Sequence, residues 1–380
     1  MPSPLPPPVP HPVPHPAPHP AAHRAPGPDG TRPGAARILS LATATPPYRF
    51  PQAVTRDAAR EIFADRLRDF DRLAPVFTNA GIEARSSAVP LDWYRSPRGW
   101  PDRNSAYLDG AVEVLAQAGA AALERAGLTG ADVDAVVAIS TTGIATPGLE
   151  ARLMPRLGFR PDIQRLPVFG LGCAGGVIGL ARAAQWAEAL PGRNVLLLVV
   201  ELCTLSFRHD DLTKANIVAT ALFGDGGAAL LLRAGDDGPG PRVRAWAEHT
   251  WPETLDVMGW RVEGDGLGVI FSQSIPTLVR ERLGPVVDGF LERQGLTRAH
   301  LAGSVCHPGG AKVLDALGDV LAPCTAGLED GRTVLRDHGN MSAATVLFVL
   351  ERRLAGGATG PHLMSALGPG FTAALALLDL

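Results

Sequence analysis

Three short stretches of this 380-residue chain carry side chains suited to covalent chemistry. In Gly170-Leu-Gly-Cys-Ala-Gly-Gly176 a single cysteine, Cys173, is crowded by glycines. It lies between an apolar run, Leu166-Pro-Val-Phe169, and a helical stretch, Val177–Leu190. A turn between strand and helix puts Cys173 at or just before a helix N-terminus, where unpaired N–H groups and the helix dipole stabilise a thiolate. That is the setting of a nucleophile. The second stretch, Ser304-Val-Cys-His307-Pro-Gly-Gly310, ends a short apolar run on His307, ahead of a glycine turn and a helix, Ala311–Leu321. Sheets of α/β proteins form pockets at that edge. The third, Asp337-His-Gly-Asn340-Met-Ser-Ala343, offers the Asn340 amide just before a helix, Met341–Leu354. His338 competes with His307 as the base, but its charged neighbours place it on a solvated turn.

Each stretch has a plainer reading alone: a cysteine packed in a tight turn, a structural histidine, an N-cap asparagine. Gly170 to Gly175 also matches the G-x-G-x-x-G of dinucleotide sites, with Glu201 ending the next strand where a ribose-binding acid would stand. Several strands precede the motif, however, and a cysteine occupies its closest approach. The order Cys, His, Asn occurs in papain-like proteases too, but Gly175 stands where those carry tryptophan. The four cysteines, Cys173, Cys203, Cys306 and Cys324, form no CxxC, so neither a zinc site nor a disulfide framework is signalled. A reducing, cytoplasmic setting fits. A net charge of −3 gives no footprint for nucleic acid or an anionic membrane. No stretch is long and apolar enough to span a bilayer.

The elements that must position these residues follow from composition and periodicity. Residues 1–35 hold fourteen prolines and a histidine at every fourth position from His11 to His23, which predicts an extended, unpacked tail. Arg37–Thr43 reads as a first strand, Thr55–Arg72 and Ala106–Ala126 as helices, and Asp134–Ser140, Asn194–Glu201 and Gly227–Arg233 as buried strands. Continuous apolar strands alternating with helices predict an α/β fold with a mostly parallel sheet covered on both faces. The Gly/Pro/Asp cluster Asp236–Pro241 marks a boundary. Phe223-Gly-Asp-Gly-Gly-Ala-Ala-Leu-Leu-Leu232 is echoed by Leu367-Gly-Pro-Gly-Phe-Thr-Ala-Ala-Leu-Ala-Leu377, and the Cys173 turn by Gly339-Asn340. The echo predicts two duplicated halves, 36–235 and 236–380, whose helix starts at Cys173 and Asn340 share one pocket.

Together, GLGCAGG, CHPGG and GNMSAATVLFVL, with ALFGDGGAALLL and ALGPGFT, resemble the type III polyketide synthases, the chalcone-synthase-like branch of the thiolase-fold condensing enzymes. The resemblance covers Arg37 to Leu380. Thr141–Pro147, Glu150–Met154 and Glu201–Thr204 are most similar to bacterial enzymes making long-chain alkylpyrones and alkylresorcinols. It implies a homodimer of duplicated, five-layered αβαβα subunits with a buried site at the end of a pantetheine tunnel. Cys173 would carry the acyl group from an acyl-CoA. His307 would help ionise it, giving a thiolate–imidazolium pair, and with Asn340 would bind the enolate formed when malonyl-CoA loses CO2. No metal or redox cofactor is required. Phe223 would gate the tunnel. Val269 falls where plant members carry a second gating phenylalanine, Thr146 where they insert a methionine across the dimer, and Cys203 and Ser206 on the cavity wall. Gly370 of the Gly368-Pro-Gly370 loop joins the substrate-binding positions, and Arg72 and Lys312 are the basic positions assigned to CoA. The nearest alternative is a β-ketoacyl synthase III-like single condensation; a remote one is an inactive binding protein of the same fold.

Overall fold

The computed structural model describes residues 34–67, 70–235 and 238–380. The expectation for the proline-rich tail thus lies outside the described residues but for its last two positions, and so does part of the Asp236–Pro241 cluster.

The first half of the chain runs β1 (Arg37–Ala44), β2 (Tyr48–Pro51), α1 (Gln52–Phe63), α2 (Phe70–Leu73), α3 (Pro75–Asn79), β3 (Ala84–Ser87) and α4 (Trp100–Arg125). It continues through β4 (Ala135–Ile139), α5 (Leu149–Leu157), β5 (Gln164–Val168), α6 (Gly175–Ala189), β6 (Asn194–Leu202), α7 (Lys214–Leu222) and β7 (Asp225–Arg233). Then come β8 (Arg242–Thr250), the hairpin β9 (Met258–Glu263) and β10 (Gly266–Phe271), α8 (Ile275–Leu278), α9 (Gly284–Glu292), β11 (Gly303–Cys306) and α10 (Ala311–Leu321). The chain closes with α11 (Leu328–His338), α12 (Thr345–Ala355), β12 (Pro361–Gly368) and β13 (Thr372–Asp379). The helix expected over Thr55–Arg72 is two: α1 ends at Phe63, and Arg72 falls in the separate short α2.

Nine strands join in the order β11-β12-β13-β8-β1-β7-β6-β4-β5. Between β1 and β8 a single position pairs, Arg37 with Arg242, so the array is a five-stranded and a four-stranded sheet meeting at one rung. The expectation of a mostly parallel sheet is corrected. Five of the eight pairings within this array are antiparallel, and among the described residues only β11–β12, β4–β5 and β4–β6 run parallel. A continuous apolar run reports cover on both faces, which these strands have, and carries no information about direction.

That cover is made of three helical layers. Val137, Ile139, Leu197, Val199 and Leu230 pack inward on α6 and α12, while Val136, Leu196, Leu198, Val200 and Leu231 pack outward on α4 and α5. In the second sheet Met364, Ala374 and Ala376 face α6 and α12, and Leu363, Leu375 and Leu377 face α9 and α10. The period-2 alternation thus sorts each strand between two cores, giving an αβαβα stack. The middle helices are covered on all sides, which is why α6 reads GGVIGLARAAQWAEA with little polar surface.

The N-termini of α6 and α12 meet closely. Each is entered through a three-residue 3-10 turn, Gly172–Ala174 and Ser342–Ala344. Gly172 adopts φ +48°, a backbone that favours glycine, and its amide donates to Thr141 Oγ1 at 3.0 Å. A Cβ on Gly176 would lie 2.2 Å from the Ala343 carbonyl oxygen and 2.6 Å from Val346 Cγ1, so only glycine allows the two helices this approach. Gly176→Ala should therefore lower stability by about 1–3 kcal/mol in urea unfolding, because the obstacle is backbone that must shift. Gly264→Ala, where a Cβ meets nothing within 4 Å, should change it by less than about 0.5 kcal/mol.

Candidate active site

The convergence of the two helix starts brings the three chemical residues together. Cys173, His307 and Asn340 line one narrow cavity, whose other walls are largely apolar: Met258, Phe271, Ile275, Leu283, Val313 and Leu367. Cys173 sits in the 3-10 turn before α6. His307 follows the last residue of β11 and is fixed through its backbone, its amide donating to Ser365 O at 2.8 Å. Asn340 stands between α11 and the turn into α12. Its Oδ1 accepts from the Ser342 amide at 2.8 Å and its Nδ2 donates to Gly309 O at 3.2 Å. The acceptor bond identifies the oxygen, so Nδ2 keeps its second hydrogen for a ligand.

The electrostatics correct one expectation. Burial pushes the Cys173 thiol up to about 12, opposed by a hydrogen bond with Ser342 and reinforced by the Glu201 carboxyl. Burial alone takes His307 down to about 4, and neither of its ring nitrogens has a hydrogen-bond partner among the described residues. The thiolate–imidazolium pair is thus replaced by a thiol and a neutral imidazole. Desolvation of both charges outweighs what a helix N-terminus supplies. Such a site holds a proton donor and a proton acceptor, and two N–H donors, in a medium of low dielectric where each interaction is strengthened.

Sequence reasoning gave Glu201 no role beside Cys173. It ends no dinucleotide site; it is fully buried, its Oε2 accepts from the Thr141 amide at 3.0 Å, and it lies beside Thr142, Ser342 and Ala343. Burial raises its carboxyl to about 8. Ser342, with φ +47°, thereby touches both Cys173 and Glu201. The signal was a charged residue closing an otherwise apolar strand, Asn194–Leu202. His338 ends α11 and packs edge-on against Phe348 at 5.0 Å, outside the Cys173 cavity.

The remaining assigned positions divide. Phe223, Cys203 and Ser206 line a second, strongly apolar cavity, together with Phe50, Ala58, Ala59, Ile62, Leu91 and Phe207. Phe223 pairs backbone to backbone with Asn340, so this cavity adjoins the first. Val269 does not line it. On β10 it pairs with Trp260 of β9, and Trp260 is the aromatic that packs on Phe223, with ring centroids 5.8 Å apart. Gly370 lines neither cavity; it lies in the turn between β12 and β13, where Pro369 packs on Gly172 and so buttresses the Cys173 turn. Thr146 is exposed on the loop before α5, and Arg72 and Lys312 are exposed on α2 and α10.

The chain is similar to known proteins over most of its length. The profile described as chalcone and stilbene synthases, N-terminal domain, matches residues 101–236, and its C-terminal counterpart matches 243–378. A 1,3,6,8-tetrahydroxynaphthalene synthase of Streptomyces peucetius subsp. caesius is 39% identical over 348 residues, 90% of this chain and 92% of that one. A 3,5-dihydroxyphenylacetyl-CoA synthase of Streptomyces toyocaensis is 32% identical over 361 residues, covering 91% and 90%. Among solved structures, the tetrahydroxynaphthalene synthase of Streptomyces coelicolor superposes with a TM-score of 0.85 at 27% identity, over 90% of this chain and 99% of that one. The PKS-I of the brown alga Ectocarpus siliculosus, at 23% identity and a TM-score of 0.86 over 92% and 99%, shares the fold.

The lowered His307 has a measurable consequence. Its folded value, about 4, lies below the unfolded 6.5, so the unfolded chain takes up the proton first as pH falls. Stability held above pH ~6.5 is lost on the way down to ~4. Between pH 7 and 5 the unmodified protein should lose about 2 kcal/mol more than His307→Gln, which does not titrate, in urea unfolding. Parallel profiles in the two proteins would contradict a dry, neutral ring.

Proposed function

Because the chain belongs to the chalcone and stilbene synthase family, the type III polyketide synthases, we propose that it loads an acyl-CoA starter on Cys173, extends it with malonyl-CoA and cyclises the product. The observation that carries this reading is the shared cavity of Cys173, His307 and Asn340. The Cys173 sulfur attacks the starter thioester and its proton passes to the neutral His307 imidazole, while the C–S bond to CoA breaks. Malonyl-CoA then loses CO2, and the electrons of the broken C–C bond become an enolate. Hydrogen bonds from His307 and the free Asn340 N–H meet its oxygen; removing one such donor commonly costs about 2.7–4 kcal/mol. The enolate carbon attacks the Cys173 thioester carbonyl, the C–S bond to Cys173 breaks with its electrons leaving on sulfur, and the acyl chain, longer by two carbons, is left on CoA.

The second cavity supports a long alkyl starter and an alkylpyrone or alkylresorcinol-type product. Its walls are almost wholly apolar, and each buried methylene is worth about 0.8 kcal/mol. A second reading, an aromatic product built without a long starter, is favoured by the relatives named for tetrahydroxynaphthalene and dihydroxyphenylacetyl-CoA. Incubation with malonyl-CoA alone, then with acyl-CoAs of increasing length, and mass analysis of the products separates the two. It also separates iterative extension from single condensation. A homodimer is supported by the outer edge of β5, where Leu166 and Phe169 are exposed beside Ile144 and Thr146. The duplication into 36–235 and 236–380 is supported by the matched 3-10 turns that open α6 and α12. No described helix is long and apolar enough to cross a membrane, and the four cysteines are free, which suits the cytoplasmic reading. Exposed Arg72 and Lys312 suit the CoA phosphates.

Two outcomes follow. Cys173→Ala should abolish acyl loading seen by intact mass, whereas Asn340→Ala should leave loading nearly intact and cut malonyl decarboxylation by about 100-fold. Ser206→Phe should fill the apolar cavity and lower kcat/KM for long acyl-CoAs relative to acetyl-CoA by about tenfold, or about 1.4 kcal/mol. Val269→Phe should act less, since Val269 stands beside Trp260 and off the cavity wall.

A further inference from the structure

We propose that Arg85 is a positioning residue for the condensation, holding from β3 the segment that carries Phe223 and, through that segment, Asn340. The inference rests on the reading that Asn340 binds the enolate.

Arg85 is 2% exposed and borders the apolar cavity. Burial lowers its guanidinium to about 10, which still leaves a cation at neutral pH, with the buried Asp225 as counter-charge. Its Nη1 donates to Thr220 O at 2.6 Å and Phe223 O at 2.9 Å, and its Nη2 to Ala221 O at 2.7 Å and to the Gln52 side-chain oxygen. Gln52 in turn donates to Ala221 O at 3.0 Å and to Phe77 O at 3.0 Å. Thr220 and Ala221 belong to the last turn of α7, whose carbonyls have no partner further along the helix. The remaining carbonyl there, Leu222 O, accepts the Asn340 amide at 2.8 Å, and Asn340 O accepts the Gly224 amide at 3.0 Å. The end of α7 is therefore satisfied from two sides: by Arg85 on one and by the backbone of Asn340 on the other.

The geometry is close as well as bonded. A Cβ on Gly224 would lie 3.3 Å from the Arg85 Cβ, and one on Gly339 would lie 3.7 Å from it. Arg85 thus borders the residues after Phe223 and before Asn340. A planar guanidinium can meet three carbonyls and an amide oxygen at once; a lysine ammonium has three donors and no fork, and a methionine has none. Without the clamp, buried carbonyls lose their partners and the Phe223–Asn340 pairing loosens. A displacement of about 1 Å at a reacting centre can cost about 100-fold in rate.

The test compares Arg85→Met, Arg85→Lys and Gln52→Leu with Asn340→Ala. It measures CO2 release from malonyl-CoA, Tm, and loading of Cys173 by intact mass from acetyl-CoA, which has no long alkyl chain for the apolar cavity to hold. Arg85→Met should slow decarboxylation roughly ten- to a hundredfold while loading stays within about twofold. Arg85→Lys should recover part of the loss. Gln52→Leu, which keeps the three carbonyl bonds, should show the same selective loss at smaller size, and it carries the test should Arg85→Met not fold. Decarboxylation and loading falling together, or Tm falling with both half-reactions unchanged, would overturn the clamp. Unchanged decarboxylation in Asn340→Ala would overturn the reading of Asn340 itself; a fall there with none in the Arg85 and Gln52 variants would overturn the clamp alone.

Discussion

Everything at the centre of this molecule depends on two helices being allowed to touch. The α6 and α12 starts approach so closely that Gly176 meets the Ala343 carbonyl where any side chain would collide. Both helices are buried between sheets, so this approach is held by apolar cover on every side rather than by polar bonds. From it follows the rest. The Cys173 turn and the Asn340 segment end up on one cavity, and β11 and β12, packed on the same middle layer, bring His307 and Ser365 to its far wall. The chemistry is thereby a by-product of packing: three residues spread from position 173 to position 340 converge because the glycines at one helix start leave room for the other.

The same burial sets the resting charge of the site. A thiol pushed up to about 12 and an imidazole pulled down to about 4 hold no ion pair before substrate arrives. In the proposed reaction the proton moves when a thioester is present to accept the sulfur, and the charge that develops on its oxygen is met by donors already in place. Glu201, itself raised to about 8 by burial, adds to this when ionised, because a carboxylate near the sulfur disfavours a thiolate there. Solvation, not sequence position, decides what each group is.

The extent to which this was legible from residues alone follows the same division. Cys173, His307 and Asn340 were found because glycine turns at strand-to-helix junctions leave a sequence mark, and α10 was read at Ala311–Leu321 as observed. The layer count came from the resemblance, while the alternation that builds it is hidden in runs such as Val195–Val200, apolar on both faces. Strand direction was misread for the same reason. The neutral state of the pair was missed because desolvation is a property of the folded surroundings. Trp260 was missed because a cross-strand partner is set by hairpin register, which places it opposite Val269. Arg85 and Gln52 carry no motif; their bonds to α7 exist only once β3 lies beside that helix.

The pairing of Phe223 with Asn340 has a consequence for how such a protein can diversify. One backbone rung joins a wall of the apolar chamber to an amide of the chemical centre, so that wall cannot be relocated by natural variation without disturbing the amide. With the chamber holding substrate as proposed, changes in the size of molecule accommodated fall to side chains borne by elements that do not share the rung: Ser206 after β6, Ala58 and Ile62 on α1, and Trp260 on its hairpin behind Phe223. These are separate in sequence and independent in backbone, so they can vary one at a time. The lineage is free to explore new molecules through them while the apparatus that makes carbon–carbon bonds stays still.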